Sequence, residues 1–346
     1  MVTMGEVARL AGVSVTTVSH VLNGTRRASE ATTRRVLDAV ERTGYTQNTI
    51  ARALARASTQ SLGLAISGLA NPYFSDLIAA VEREAERAGH TLLLGDTRED
   101  AEQELRMVQA LLERRVDGLL LAPSAGATER ALPYLAAQDV PVVLLDRMPA
   151  GDFDQVGSDN EEPTAHLVEH LAALGHRRIG MIVGRAELTT TVERVRGYRA
   201  GLARTGLPVD DALVVDGGSQ RDLARAATHA LLDLSDPPTA LVSGNNFMTI
   251  GVMHGLADRG LRVPADIALV TFDDFEWADF FAPRLTAVAQ PVGELGRRAV
   301  ELLLSRIADP SLPSRSVRLP TTFVHRDSCG CHLRAAAPVD GSPGAD

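Results

Sequence analysis

Apolar residues recur along this chain at two different periods, and the change from one to the other near residue 60 divides it. From Thr3 to Thr43 they come every three or four residues in three short runs: Val7, Leu10 and Ala11; Val18, Val21 and Leu22; Val36, Leu37 and Val40. That spacing predicts three helices, each with one buried face. Thr3 with Glu6 three residues on predicts a capping box for the first. Gly12-Val13-Ser14 predicts a tight turn, with Ser14 capping the second helix. Ser29 and Gly44 bracket the third, and Tyr45 is placed to close the small core. A further short helix is expected from Asn48 to Arg56, too short to hold its shape alone in water.

From Ser61 onward the pattern becomes short continuous apolar runs alternating with amphipathic stretches. Strands are expected at Leu62–Ser67, Thr91–Gly95, Gly118–Ala122, Pro141–Leu145, Ile179–Val183, Ala240–Ser243 and Ala268–Phe272. Helical patterns such as Tyr73–Ala88, Glu102–Arg115 and Leu295–Arg306 lie between or after them, and Val317–Val324 completes the body. Repeated β-α-β of this kind implies parallel sheets covered by helices on both faces. The number of strands suits two doubly wound subdomains better than one, with a seam near Ser158–Glu161. The fold class is therefore α/β: a three-helix head, a short linking helix, then two doubly wound parallel-sheet subdomains.

The first two helices have the form of a helix-turn-helix, which presents its second helix to the DNA major groove. On that helix Thr16 and His20 lie one turn apart, opposite the apolar face, with Val15, Thr17 and Ser19 around them. Short hydroxyl, methyl and imidazole groups of this kind reach base edges. Asn23 ends the helix, and Arg26 and Arg27 follow in a loop suited to phosphate contact. From periodicity alone, a plain amphipathic helical hairpin stays open.

Charge sharpens the picture. The net charge of −9 argues against a nucleic-acid binder, but the first sixty residues carry eight Arg against four acids, leaving −13 on the rest. A basic head on an acidic body fits DNA contact confined to the head. At 346 residues the chain can hold two or three domains. It has no 18-residue apolar run and no signal-peptide pattern, so a cytoplasmic protein with no membrane partner is expected. Cys329 and Cys331 are too few for a structural zinc site; with His332 beside them a metal site is imaginable, but an unremarkable tail is favoured and no metal is expected.

In open α/β sheets ligands bind beyond the carboxyl ends of the strands. After the first expected strand come Asn71-Pro72-Tyr73-Phe74, and after the fourth Asp146-Arg147. A threonine run, Thr189-Thr190-Thr191, leads to Arg194, and Asn245-Asn246 and Asp273-Asp274 follow the last two strands. Carboxylates, an Arg and an Asn facing one cleft suit a polyhydroxylated ligand, since they accept from and donate to hydroxyls. Singly, each Asp or Asn could equally be a helix cap or a loop hydrogen-bonder. No GxGxxG follows the first strand, and there is no Walker A motif, no grouped His/Ser/Asp and no metal-ligand cluster, so neither an enzyme nor a cofactor is expected.

The stretch EVARLAGVSVTTVSHVLNG resembles the N-terminus of the LacI/GalR family of bacterial transcription regulators, and the likeness runs across nearly the whole chain. It implies a helix-turn-helix domain at 1–46 and a hinge helix and linker at 47–59. It also implies a periplasmic-binding-protein-like core, with one lobe at 60–160 plus 291–321 and the other at 161–290 plus 322–333. Residues 334–346 are expected to be a disordered tail. The resemblance further implies a homodimer on a near-palindromic operator, with Leu54 wedging a base step open in the minor groove. Leu54 could alternatively pack on the neighbouring domain.

By the same resemblance Asp146, Arg194, Asn245 and Asp273 line an effector site between the lobes, and Tyr73 and Phe74 form its aromatic wall. Arg194 rather than Arg196 fits the family motif Arg-x-x-Gly-(Phe/Tyr). Two positions depart from the pattern: Asn246 stands where Asp is usual, and Asp216-Gly217-Gly218-Ser219 lacks a stacking aromatic. Trp277 is the candidate substitute, or else core or dimer surface. The implied function is a repressor whose operator affinity is set by a sugar or sugar derivative. A solute-binding protein of the periplasmic kind is the alternative, though it has no use for the head.

Overall fold

The computed structural model describes residues 2–23, 26–45 and 58–331. It forms two compact units, residues 1–59 and 60–346.

The first unit contains α1 (Met4–Ala11), α2 (Val15–Asn23) and α3 (Glu30–Thr43). Thr3 and Glu6 complete the capping box, and Gly12 ends α1 at a φ of +64°, where only a residue without a Cβ turns cheaply. The Ser14 hydroxyl accepts from the Thr17 N–H at 3.1 Å, so α2 starts where expected. The core differs in detail from the pattern. Val7, Ala8, Ala11, Val18, Val36 and Ala39 fill it, whereas Leu10 and Leu37 are about half exposed. Three short helices packed this closely leave room at their axes for alanine, and the leucines sit one position round the wheel. Val21, Leu22, Val40 and Tyr45 flank the core. The expected helix from Asn48 to Arg56, with Leu54, lies outside the described residues, as does the tail.

The second unit alternates strands and helices: β1 (Ser61–Ile66), α4 (Pro72–Arg87), β2 (Thr91–Asp96), α5 (Ala101–Glu113), β3 (Gly118–Leu121), α6 (Ala131–Ala136), β4 (Val142–Leu145) and β5 (Asp154–Ser158). Then come α7 (Glu161–Ala173), β6 (Ile179–Val183), α8 (Thr189–Arg204), β7 (Val214–Asp216), α9 (Arg221–Leu232), β8 (Ala240–Ser243), α10 (Asn246–Asp258), β9 (Ala268–Phe272) and β10 (Thr286–Ala289). The last elements are α11 (Val292–Ala308), β11 (Ser316–Leu319) and β12 (Thr322–Val324).

Two six-stranded sheets result, ordered β11-β5-β4-β3-β1-β2 and β12-β10-β9-β8-β6-β7. All the pairings are parallel except β10 with β12. The chain thus passes between the sheets after β5, after β10 and between β11 and β12. All seven expected strands are present with ends shifted by at most one residue, because helices cover both sheet faces and the strands are consequently apolar over most of their length.

Beyond these, β5, β7 and β10 to β12 extend the sheets. Each sheet has an apolar core on either side. The turn of Arg194-x-x-Gly197-Tyr198 has a packing cause: a Cβ on Gly197 would lie 2.1 Å from the Glu161 carbonyl oxygen on α7. Tyr198 is fully buried, its hydroxyl donating to the Ile179 carbonyl at 2.6 Å. Close approach of α8 to α7 is what points Arg194 beyond the strand ends.

Candidate functional site

A cleft of about 140 Å³ opens at the carboxyl ends of both sheets. Strand-end loops from the first sheet supply Tyr73, Phe74 and Asp146, and those of the second supply Thr190, Arg194, Asn245 and Asp273. Seven of the eight residues expected to bind an effector thus share one cavity.

The two carboxylates are placed alike. Asp146 follows β4 and Asp273 follows β9, and both take a φ of +69°, a left-handed bend that Asp tolerates better than most residues. The bend turns each side chain off its sheet and into the cleft. The Tyr73 hydroxyl donates to Asp146 Oδ1 at 2.5 Å and lies 3.3 Å from Gln290 Oε1. Gln290 Nε2 in turn donates to Asp273 Oδ1 at 2.6 Å. A polar chain therefore runs from one strand-end carboxylate to the other. Burial pushes both carboxyls above their usual pKa, opposed by Arg147 and Tyr73 at Asp146 and by Arg194 and Gln290 at Asp273. Burial, then the neighbouring Asp146, pushes the Tyr73 hydroxyl well up, so it stays a donor.

Arg194 is locked before any ligand arrives. Its guanidinium lies 3.7 Å from the centre of the Phe272 ring, and its Nε donates to Asn160 Oδ1 at 2.9 Å. Nη1 donates to the Gly244 carbonyl, leaving Nη2 3.9 Å from Asp273. Arg196, by contrast, is exposed. Arg147 is held by Glu99 and by the Pro123 carbonyl at 2.8 Å. Burial would raise the Glu99 pKa, but Arg147 holds its carboxyl below the usual range. Asn245 lines the cavity and also caps α10, accepting from the Met248 N–H at 2.8 Å.

One expected residue is misplaced. Trp277 is 61% exposed and does not line the cleft. The turn after β9 buries Phe275 and Ala278 instead and carries Trp277 to the surface. The cleft aromatic missed in the sequence is Phe247, at the start of α10, with Arg221 4.9 Å over its ring. Gln290 was also missed, although a polar residue ending the apolar run Thr286–Ala289 was a usable signal. Asn246, noted in the sequence only as a departure, has a role there was no signal for: its Nδ2 donates to Asn71 Oδ1 at 2.7 Å and ties the start of α10 to the cap of α4.

In the first unit, Val15 and Thr16 are exposed on α2, and Thr17, Ser19 and His20 are half-buried. The Thr17 hydroxyl is engaged with Ser14 at 2.9 Å, which commits it partly to the helix cap. Arg26 is exposed. The side chain of Asn23 and the whole of Leu54 lie outside the described residues.

Comparison with known proteins agrees over nearly the full length. Residues 3–48 match the bacterial regulatory proteins of the lacI family, and residues 168–329 match a periplasmic binding protein-like domain. The Escherichia coli K12 ribose operon repressor is 36% identical over 333 residues, covering 95% of this chain and 100% of the repressor. The transcriptional repressor PurR of Vibrio atlanticus is 34% identical over 329 residues, covering 95% of this chain and 98% of PurR.

Among solved structures, the Lac repressor dimer bound to operator and the anti-inducer ONPF superposes with a TM-score of 0.86 at 29% identity, covering 95% and 99% of the two chains. The regulator CelR in complex with cellobiose gives 0.72 at 30% identity, covering 95% and 100%. With a reader-type helical head, a two-sheet sensor body and relatives matched from end to end, this chain belongs to the lacI family of bacterial regulatory proteins.

Proposed function

We propose that the protein is a cytoplasmic, homodimeric repressor whose affinity for a near-palindromic operator is set by a sugar or sugar derivative bound in the cleft. The observation that carries this reading is the convergence of Tyr73, Asp146, Arg194 and Asp273 from both sheets on one cavity. Two carboxylates, a fixed guanidinium and amide groups match the alternating donors and acceptors of vicinal hydroxyls. Relatives named for a ribose operon and for a cellobiose complex support carbohydrate as the ligand class.

The reader is α2, with Val15, Thr16, Thr17, Ser19 and His20 toward base edges and Asn23 and Arg26 toward the backbone. Leu54 enters the minor groove between half-sites. Ligand binding changes the spacing of the two lobes, and through the hinge the affinity for DNA. This coupling is reciprocal, so operator alters ligand affinity by the same factor. The cleft is read as a binding site without catalysis, since its carboxylates are tied to Tyr73 and Gln290 and not to a nucleophile. No described helix is long and apolar enough to cross a membrane.

The test is a gel shift of the purified protein on the DNA upstream of its own gene, at one stated salt concentration. It is run with and without D-ribose and cellobiose. A shift that one of these sugars changes is expected. Tight sugar binding with no shift at low protein concentration would favour the solute-binding alternative.

A further inference from the structure

Away from the cleft, the fold gathers two histidines and two cysteines at one point. His170 lies in the last turn of α7, His325 directly follows β12, and Cys329 and Cys331 sit in the turn after it. His325 Nε2 is 3.0 Å from Cys331 Sγ and 3.2 Å from Cys329 Sγ. The two sulfurs are 3.2 Å apart, and His170 Nε2 is 3.5 Å from Cys331 Sγ. All four donor atoms lie within 4.8 Å of one another. Bond lengths of about 2.3 Å to sulfur and 2.0–2.1 Å to nitrogen put tetrahedral ligand atoms roughly 3.4–3.8 Å apart. Four of the donor separations, 3.0–3.5 Å, lie within roughly half an ångström of these values, and no separation exceeds 4.8 Å, so small side-chain adjustments bring the four atoms around an ion.

We propose that His170, His325, Cys329 and Cys331 form a closed His₂Cys₂ site for one zinc ion per chain. The donor chemistry favours this over simple packing. Thiols are weak hydrogen-bond partners, so four convergent donor atoms gain little from one another, whereas a soft divalent cation accepts all four lone pairs. Both cysteines are free thiols.

The surroundings are built to hold the rings. Phe323 stacks on His325 with centroids 6.0 Å apart and lies 5.2 Å from His170, while Cys329 is fully buried in the core of the second sheet. Four protein ligands leave no open position, which marks a structural rather than a catalytic ion. Its effect is to pin the segment after the last crossover strand to α7. The expectation of no metal counted only Cys329, Cys331 and His332. The fold supplies one ligand from 159 residues before the first of these cysteines, and His332 lies outside the described residues.

The test uses the full-length protein, freed of any histidine tag and kept reduced. After equilibration with zinc and dialysis, elemental analysis is expected to find one zinc per chain. Replacement by Co²⁺ is expected to give the visible bands of a tetrahedral thiolate complex, bleached by added zinc. His170→Gln, His325→Gln and Cys331→Ser should each weaken zinc binding at least about 10-fold, with the fold followed by circular dichroism. The cobalt spectrum of the unaltered protein decides the matter even if a variant misfolds. A featureless cobalt spectrum with two freely titrating thiols overturns the proposal. So does zinc retention that both folded histidine variants leave unchanged.

Discussion

Replacing Asp273 by Asn tests the cleft with the least disturbance. The residue is 4% exposed, and its carboxylate accepts from Gln290 Nε2 at 2.6 Å and sits 3.9 Å from Arg194 Nη2. At an effective dielectric of about 20, that charge pair has a gross attraction of roughly 4 kcal/mol. Burial of the carboxylate opposes it, as the raised pKa of Asp273 records. Asn keeps an oxygen for Gln290 and tolerates the left-handed backbone at +69°. Loss of attraction and relief of burial then nearly offset, and stability should move by about 1 kcal/mol or less, or roughly 2–4 °C in Tm. Asp273→Ala is a poorer probe, because it strains the backbone by about 1–2 kcal/mol and strands the Gln290 amide.

Ligand affinity should respond more than stability. A hydroxyl donating to a carboxylate loses about 1–1.5 kcal/mol when the acceptor becomes a neutral amide oxygen, which is roughly 5- to 13-fold in Kd. The assay is isothermal calorimetry with the sugar that alters the operator shift, alongside thermal melting and operator binding without sugar. Operator affinity should be unchanged and sugar affinity reduced by that factor. A folded Asp273→Asn protein that binds the sugar within about twofold of the original would show that this carboxylate does not contact ligand.

Other perturbations separate structure from function. Glu104 is fully buried, with one oxygen accepting from the Ser124 N–H at 2.6 Å and the other unpartnered; burial raises its pKa to about 7. The folded form then binds the proton more tightly than the unfolded one, so this carboxyl's contribution to stability is fully present below about pH 4.5 and is lost as pH rises through 7, by about 3 kcal/mol at most. Glu104→Gln should flatten urea-derived stability between pH 5 and 8 relative to the original, and an equal slope in both would be a refutation. His20→Ala should change base preference at one half-site position by about 1–3 kcal/mol in competition with substituted operators; uniform weakening across sequences would mean a backbone contact instead. Leu54→Ala should weaken specific operator binding and leave sugar calorimetry unchanged. Asn246→Asp sets a carboxylate against Asn71 Oδ1, which already accepts from Tyr73 N–H; small-angle scattering should show a more open sensor body, and an unchanged profile would contradict the tie.

The parts of the fold legible in the sequence share a physical cause. Ile179–Val183, Ala240–Ser243 and Ala268–Phe272 are buried on both faces, so they are apolar at nearly every position, Ser243 and Thr271 being the polar exceptions, and announce themselves. Strand β5 reads DQVGS and is just as buried, yet its residues do not look like a strand. Its Asp154 is met by groups far away in the chain, the Arg306 guanidinium at 2.9 Å and the Arg315 N–H at 2.8 Å. β7 has only three residues and no pattern to show.

The candidate site divides in the same way. Residues set directly by a strand end, such as Asp146 and Asp273, are placed by local geometry and could be read in advance. Trp277 stands only four residues beyond Asp273, but the intervening turn decides which way it faces, and that turn is fixed by burial of Phe275 and Ala278. Gln290, Asn246 and the His170 partner of the cysteines acquire their roles only from contacts across the chain. Proximity in sequence predicts chemistry where the backbone alone aims the side chain, and fails where packing between distant segments does the aiming. The double carboxylate bend and the four-donor cluster stand at these two extremes, so the Asp273→Asn and cobalt experiments probe the reasoning where it is strongest and where the sequence had least to offer.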